Sequence, residues 1–443
     1  MQKRFPALLI AAVILLCQVG CERPLFAQTT QPATQIVIKP ANVTGVYKVG
    51  ELIAWNITVT GDAAAVRDAK YVLKLGALKA GPEQKLDLSS GSATVQTKLD
   101  EPTNVQLVLD ANIDGKAAHV LGGAVADPDK IIRSAKRPAD FDAFWDAKLK
   151  QLRAIPPNPR VEPQADIDDV DYAKITLDNI HGSHVYGQIA KPKGAAKRPA
   201  ILIVQYAGVY PLNKDGVVRR AKAGWLAMNI MAHDLPFDRD AQFYKEQKLG
   251  PLQNYTAIGG EDRETSYFLR MYLACVQSVD YLASRDDWDG KTLVVIGTSQ
   301  GGQQSLITGG LCPQITTVIA NVPGGCDVTA PLVGRAAGFP GFFARSKNDP
   351  KILEVGKYFD AANFTPRIRC PALVTCGLID ETCPCGGVIA AYNQIPGPKE
   401  LIIMPLSDHQ GSGNTQTAFP AKSEQWLREI VKGKTPTIQP LTK

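Results

Sequence analysis

Histidine is scarce in this chain: there are five in 443 residues, at positions 119, 181, 184, 233 and 409. Any chemistry that needs an imidazole must be built from one of them. A basic stripe is missing as well. Of the formal charge of +6, the leader residues Lys3, Arg4 and Arg23 against Glu22 hold two, and the remaining +4 is thinly spread, which excludes a nucleic-acid surface. No metal-binding cysteine pattern is present. Cys383-Pro-Cys385 stands without a second pair or a neighbouring histidine, so neither a metal nor another cofactor is expected. Seven cysteines follow Cys17 and Cys21, an odd number that cannot all pair internally. Disorder is excluded too, because 45% of the residues are hydrophobic and 21% charged, the balance of a folded chain with a sizeable core.

The apolar run at 7–17 follows Lys3 and Arg4 and falls short of the roughly 20 residues needed to cross a bilayer. It predicts an export signal over 1–27, and hence a secreted or periplasmic protein. Two maturation routes fit. Gln18-Val19-Gly20-Cys21 resembles a lipoprotein box, which would put a lipid anchor on Cys21, and Leu25-Phe26-Ala27 fits ordinary cleavage.

The length predicts two folded units. A Thr/Gln/Pro-containing tether at 28–40 leads into short alternating segments at 52–60, 71–75, 93–99, 105–110 and 120–125. Their spacing predicts an immunoglobulin-like β-sandwich over 28–126, with Trp55 and His119 as ordinary sandwich residues. A linker at 127–137 then precedes a catalytic region at 138–435 and a tail at 436–443. That region opens with a helix whose Phe141, Phe144, Trp145 and Leu149 share one face. A hairpin follows at 172–177 and 185–191, with His181 and His184 at its solvated turn. Strands at 200–205, 225–231, 291–298, 317–322, 371–377 and 400–405 then alternate with helices at 217–224, 266–284 and 422–432. This α/β rhythm predicts a mainly parallel, doubly wound sheet with its ligand site at the carboxyl ends of the strands. Insertions at 236–264 and 323–357 are placed to wall that site.

The segment Leu293-Val-Val-Ile296 reads as a buried strand that breaks into Gly297-Thr298-Ser299-Gln300-Gly301-Gly302 before a helix. This is the pattern of the α/β-hydrolase nucleophile elbow, with small residues two places either side of Ser299. A serine nucleophile needs a base, and in this fold the order runs serine, acid, histidine. His181, His184 and His233 precede Ser299 and His119 lies in the sandwich, so His409 is left. The acid belongs after the strand at 371–377. Asp380 is the choice, Glu381 points the other way, and Asp408 is too close in sequence to His409 to address its ring. The oxyanion donors would be the Gln300 N–H and one N–H from the loop at 205–210, where Gly208 permits close approach and selects Val209, with Tyr206 and Ala207 as alternatives.

With these residues in view, 138–432 resembles the acetyl xylan esterase and cephalosporin-C deacetylase family of α/β-hydrolases, carbohydrate esterase family seven. The likeness rests on RPADFDAFWDAKL at 137–149, GTSQGG at 297–302, GLIDETCP at 377–384 followed by AAYN, and a histidine after the last strand. It implies Ser299, Asp380 and His409 as a triad and deacetylation of acetylated xylo-oligosaccharides, small sugar acetates and sometimes cephalosporins. It also implies a homo-oligomer, hexameric in the family. Three departures mark a divergent branch. Ala232-His233-Asp234 stands where the family has Arg-Gly-Gln, Ala207-Gly208-Val209 where it has His-Gly-Tyr, and Gln410 where it has Glu. Two rival readings share parts of the pattern: a prolyl-oligopeptidase-type peptidase and a non-catalytic glycan-binding surface protein.

Overall fold

The computed structural model describes residues 33–165 and 167–439. The expected export leader, Cys21 and both cleavage sequences lie outside the described residues. No helix among the described residues is long and apolar enough to cross a membrane.

Residues 35–126 form two sheets around a core of their own. One contains Gln35–Pro40, Ile53–Thr60 and Ser92–Thr97; the other contains Val46–Tyr47, Lys116–Ala126, Asn104–Ile113, Val66–Leu75 and Lys79–Ala80. Alternation along the chain creates this core. Ile53, Trp55 and Ile57 point inward while Asn56 and Thr58 face water, the period of two that a pleated strand imposes. The Trp55 indole N–H donates to the Gly123 carbonyl at 3.2 Å, satisfying its one polar atom inside the core. The tether expected over 28–40 is shorter than that, because Ile36 and Ile38 are buried and Gln35–Pro40 is a strand.

The second unit is organised by nine strands: β1 Arg160–Pro163, β2 Val170–Asp178, β3 His184–Pro192, β4 Arg198–Val204, β5 Leu226–Ile230, β6 Trp288–Thr298, β7 Thr317–Asn321, β8 Ala372–Gly377 and β9 Lys399–Met404. They lie in the order β1-β2-β3-β5-β4-β6-β7-β8-β9. The first four of these in space are joined antiparallel, and from β5 onward every pair is parallel. Parallel strands need both faces covered, and alternate residues supply the two faces. On β6, Leu293 and Val295 join a core with the helices Phe141–Arg153 and Tyr267–Ala283, while Val294 joins the opposite one with Asp215–Lys222 and Ala418–Val431. Full burial of Phe141, Trp145 and Trp426 contributes about 1.5–3 kcal/mol each. Strand β1 falls in the stretch the sequence offers as a mere Pro-rich connection. It is tolerated because it is an edge strand with all four residues exposed.

The sandwich is seated directly on the second unit. A Cβ added to Gly123 would lie 2.5 Å from Leu378 Cβ and 2.6 Å from its carbonyl oxygen, and one added to Gly45 would lie 2.6 Å from Leu378 Cδ1. The backbone of Gly76 accepts a hydrogen bond from Ala336 N–H at 2.7 Å.

Candidate active site

Strand β6 ends at Thr298 and the helix Gln300–Leu311 begins two residues later. Ser299 turns the corner with φ +58° and ψ −120°, a conformation that an L-residue adopts only under constraint. The constraint is visible. Its N–H donates to the Asn321 carbonyl at 2.9 Å, and its carbonyl accepts from the N–H groups of Gln303 at 2.9 Å and Gly324 at 3.0 Å. Gly297 and Gly301 meet backbone to backbone, and a Cβ on Gly301 would lie 2.6 Å from the Val204 carbonyl oxygen. Small residues flank Ser299 because no room for others exists.

The structure brings Ser299, His409 and Asp380 into one line. Ser299 Oγ is 2.9 Å from His409 Nε2, and His409 Nδ1 is 2.7 Å from Asp380 Oδ2. The residues come from the turn after β6, the loop after β9 and the loop after β8. Asp380 is 1% exposed, and its second oxygen accepts the N–H groups of Thr382 at 2.9 Å and Cys383 at 2.7 Å. The carboxylate can only accept from Nδ1, which assigns the proton there and leaves Nε2 to accept from the serine hydroxyl. Glu381 is exposed, and Asp408 accepts from the Ser412 N–H within its own loop at 2.9 Å. Neither of these alternative acids is bonded to the ring.

Two backbone N–H groups, those of Gln300 and Val209, meet no acceptor among the described residues. Gln300 is the first residue of its helix, so its N–H has no partner within the helix. Among the described residues no acceptor meets the Val209 N–H, and Val209 is the one buried member of the stretch Tyr206–Val209. Both insertions reach the site. The first sets Tyr255 against Gln300, its hydroxyl donating to Gln300 Oε1 at 2.7 Å, and the second supplies Gly324. They are tied to one another by Arg345 Nη2 donating to the Thr256 carbonyl at 3.0 Å.

His233, discarded on chain order, proves to be part of this neighbourhood. It is fully buried, with Nε2 2.9 Å from the Gly208 carbonyl oxygen and Nδ1 2.7 Å from the Tyr267 hydroxyl, and Tyr255 packs edge-on at 4.9 Å. Burial, aided by the charge of Arg270, pushes its pKa down to about 4 against the pull of the Gly208 carbonyl. One signal was available in the sequence: a histidine just past the carboxyl end of a central strand, at a departure from the family pattern. His119 instead bonds Asp110 in the sandwich at 2.7 Å, and His184 lies 3.7 Å from Asp234.

All seven cysteines among the described residues are unpaired. Asp380, Cys383 and His409 place potential ligand atoms within 4.8 Å of one another. Burial and the neighbouring Asp380 drive the Cys383 thiol well above its ordinary range.

Comparison with known proteins adds relatives to this geometry. The family model described as acetyl xylan esterase (AXE1) matches residues 130–429. The acetyl esterase Axe7A of Xylanibacter ruminicola is 34% identical over 373 residues, covering 80% of this chain and 83% of that one. Among solved structures, the acetyl xylan esterase from Paenibacillus sp. R4 superposes with a TM-score of 0.58 at 23% identity, over 67% of this chain and 98% of the other. Acetyl xylan esterase 1 from Thermoanaerobacterium sp. JW/SL YS485 gives 0.56 at 21% identity, over 66% and 96%.

Proposed function

The chain belongs to the acetyl xylan esterase family of α/β-hydrolases, which makes it a carboxylic ester hydrolase of acetylated carbohydrate, and we propose that it works through an acyl-enzyme on Ser299. The observation that carries this reading is the line from Ser299 Oγ through His409 to Asp380, at 2.9 and 2.7 Å, on a strained turn.

Ser299 Oγ attacks the acetyl carbonyl carbon as its proton passes to His409 Nε2, and Asp380 stabilises the imidazolium. The carbonyl electron pair moves onto oxygen, where the N–H groups of Gln300 and Val209 receive the charge. The tetrahedral species collapses with the C–O bond to the sugar breaking, and His409 Nε2–H protonates the leaving sugar oxygen. Water then attacks the acetyl-serine, His409 takes its proton and returns it to Ser299 Oγ, and acetate leaves. The intended substrates are acetylated xylan and xylo-oligosaccharides. The basic, then apolar, leader supports export, with Cys21 lipidation as one maturation route, and the family resemblance supports a homo-oligomer.

Acetate release from acetylated xylo-oligosaccharide, set beside cleavage of a prolyl peptide, tests the reading. Wild type should release acetate and leave the peptide intact, and Ser299→Ala should lose activity by several orders of magnitude with an unchanged circular-dichroism spectrum. Near wild-type acetate release by Ser299→Ala would refute it.

A further inference from the structure

The loop after β4 that carries Val209 is braced from the end of β5 at two adjacent residues. The Ala232 N–H donates at 2.9 Å to Gln205 Oε1, and the Gln205 side-chain N–H₂ in turn donates to the Tyr210 carbonyl at 3.1 Å. His233 reaches the middle of the loop at the Gly208 carbonyl, 2.9 Å away. Gly208 has φ +128°, a region open to glycine and closed to most residues, so the 208–209 peptide plane has little local reason to prefer one face. In a trans peptide the carbonyl of one residue and the N–H of the next point in opposite directions. A bond that fixes the Gly208 carbonyl therefore fixes the Val209 N–H.

Resting on the esterase reading above, we infer that His233 is a positioning residue for the oxyanion hole, holding the Gly208 carbonyl so that the Val209 N–H faces the developing oxyanion. The opposite plane would present a carbonyl oxygen there and repel the charge. The ring is equipped for one-way donation. Its depressed pKa keeps it neutral through the physiological range, so one nitrogen donates and the other accepts. The Gly208 carbonyl can only accept, which places the ring hydrogen on Nε2 and leaves Nδ1 to accept from the Tyr267 hydroxyl, which also lies 2.8 Å from the Ala232 carbonyl. Tyr255 joins this support to the other donor, lying against His233 and donating to the Gln300 side chain.

The test compares His233→Phe, which keeps a planar ring without a donor, with His233→Gln, whose amide N–H₂ reaches the place of Nε2. Acetyl-ester kinetics, affinity for a boronic acid that mimics the tetrahedral adduct, and thermal unfolding are measured alongside wild type and Ser299→Ala. The phenylalanine variant should lose about 10²-fold in kcat, the scale of one oxyanion donor, with KM within about threefold, boronate affinity falling in step, and glutamine restoring most of the loss. Full kcat in His233→Phe, with wild type active and Ser299→Ala dead, overturns the positioning role and leaves the esterase reading standing. Equal losses in both variants with lowered melting temperatures overturn it as well, since packing rather than the bond would then be at work. A wild type inactive on every acetyl ester overturns both.

Discussion

Asp380 divides its two oxygens between different tasks: Oδ2 faces His409 Nδ1 at 2.7 Å, while Oδ1 is occupied by the N–H groups of Thr382 and Cys383. This division determines what Asp380→Asn does. The amide oxygen must stay where backbone donors demand an acceptor, so the NH₂ is turned toward His409. It donates to Nδ1 and leaves the proton on Nε2, where it blocks removal of the Ser299 proton. A fall in kcat of about 10³–10⁴-fold with little change in melting temperature is expected, read by acetate release and calorimetry.

The elbow glycines answer to stability rather than chemistry. A Cβ on Gly301 would lie 2.6 Å from the Val204 carbonyl oxygen, a backbone atom that moves only if β4 moves with it. Gly301→Ala should be destabilised by about 1–3 kcal/mol or more, measured by urea denaturation, and its residual activity should fall because the strained Ser299 turn relaxes.

Acid stability carries the signature of His233. The unfolded chain protonates this residue near pH 6.5, and the folded chain resists until about 4. The unfolded state therefore binds more protons in that window, and stability falls as pH drops through it, by about 3 kcal/mol at most. Asp360 has the opposite sign. Burial and Asp327 raise its pKa to about 7, so its stabilising contribution is lost as pH rises toward that value. Comparing wild type with His233→Phe cancels Asp360. The variant should show the shallower decline in melting temperature between pH 6.5 and 4.

The sandwich seat gives a fourth test. Leu378, against which Gly123 rests, stands two residues before Asp380. Gly123→Ala should displace this loop and lower kcat by about tenfold, on the order of 1 kcal/mol in the barrier. Gly81→Ala, whose Cβ would meet only the Leu73 carbonyl at 3.4 Å, should leave turnover unchanged. Matched steady-state kinetics on the two variants separates a coupling of the sandwich to the site from a general loss of stability.

The parts of this molecule legible in the sequence are those where one residue type has few physical alternatives. The turn at Ser299 shows as glycines between an apolar strand and a helix, and scarcity of histidine isolates His409. Asp380 stands out because the short, fully buried strand β8 ends three residues before it. What could not be read depends on contacts distant in sequence. Chain order dismisses His233, since its role lies in a bond to Gly208 on another loop. Strand β1 is hidden by its proline, and the helix Cys385–Asn393, which carries two glycines in its first turn and is buried from Cys385 to Tyr392, lacks the polar stripe that marks a surface helix. The Gly208 peptide orientation has no sequence signature at all, because glycine permits both faces.

The contact between Gly123 and Leu378 changes what the sandwich at residues 35–126 is for. A module joined only by a tether could be shed or exchanged without the enzyme noticing. Here the backbone just upstream of the acid has a β-sheet from the other unit for its floor, and the glycine is the gap that lets the two surfaces meet. A shortened chain beginning near residue 130 would keep every member of the Ser299 line while removing the surface that one of them rests on. Loss of the sandwich would then register first as slower turnover, in a protein that still carries Ser299, His409 and Asp380.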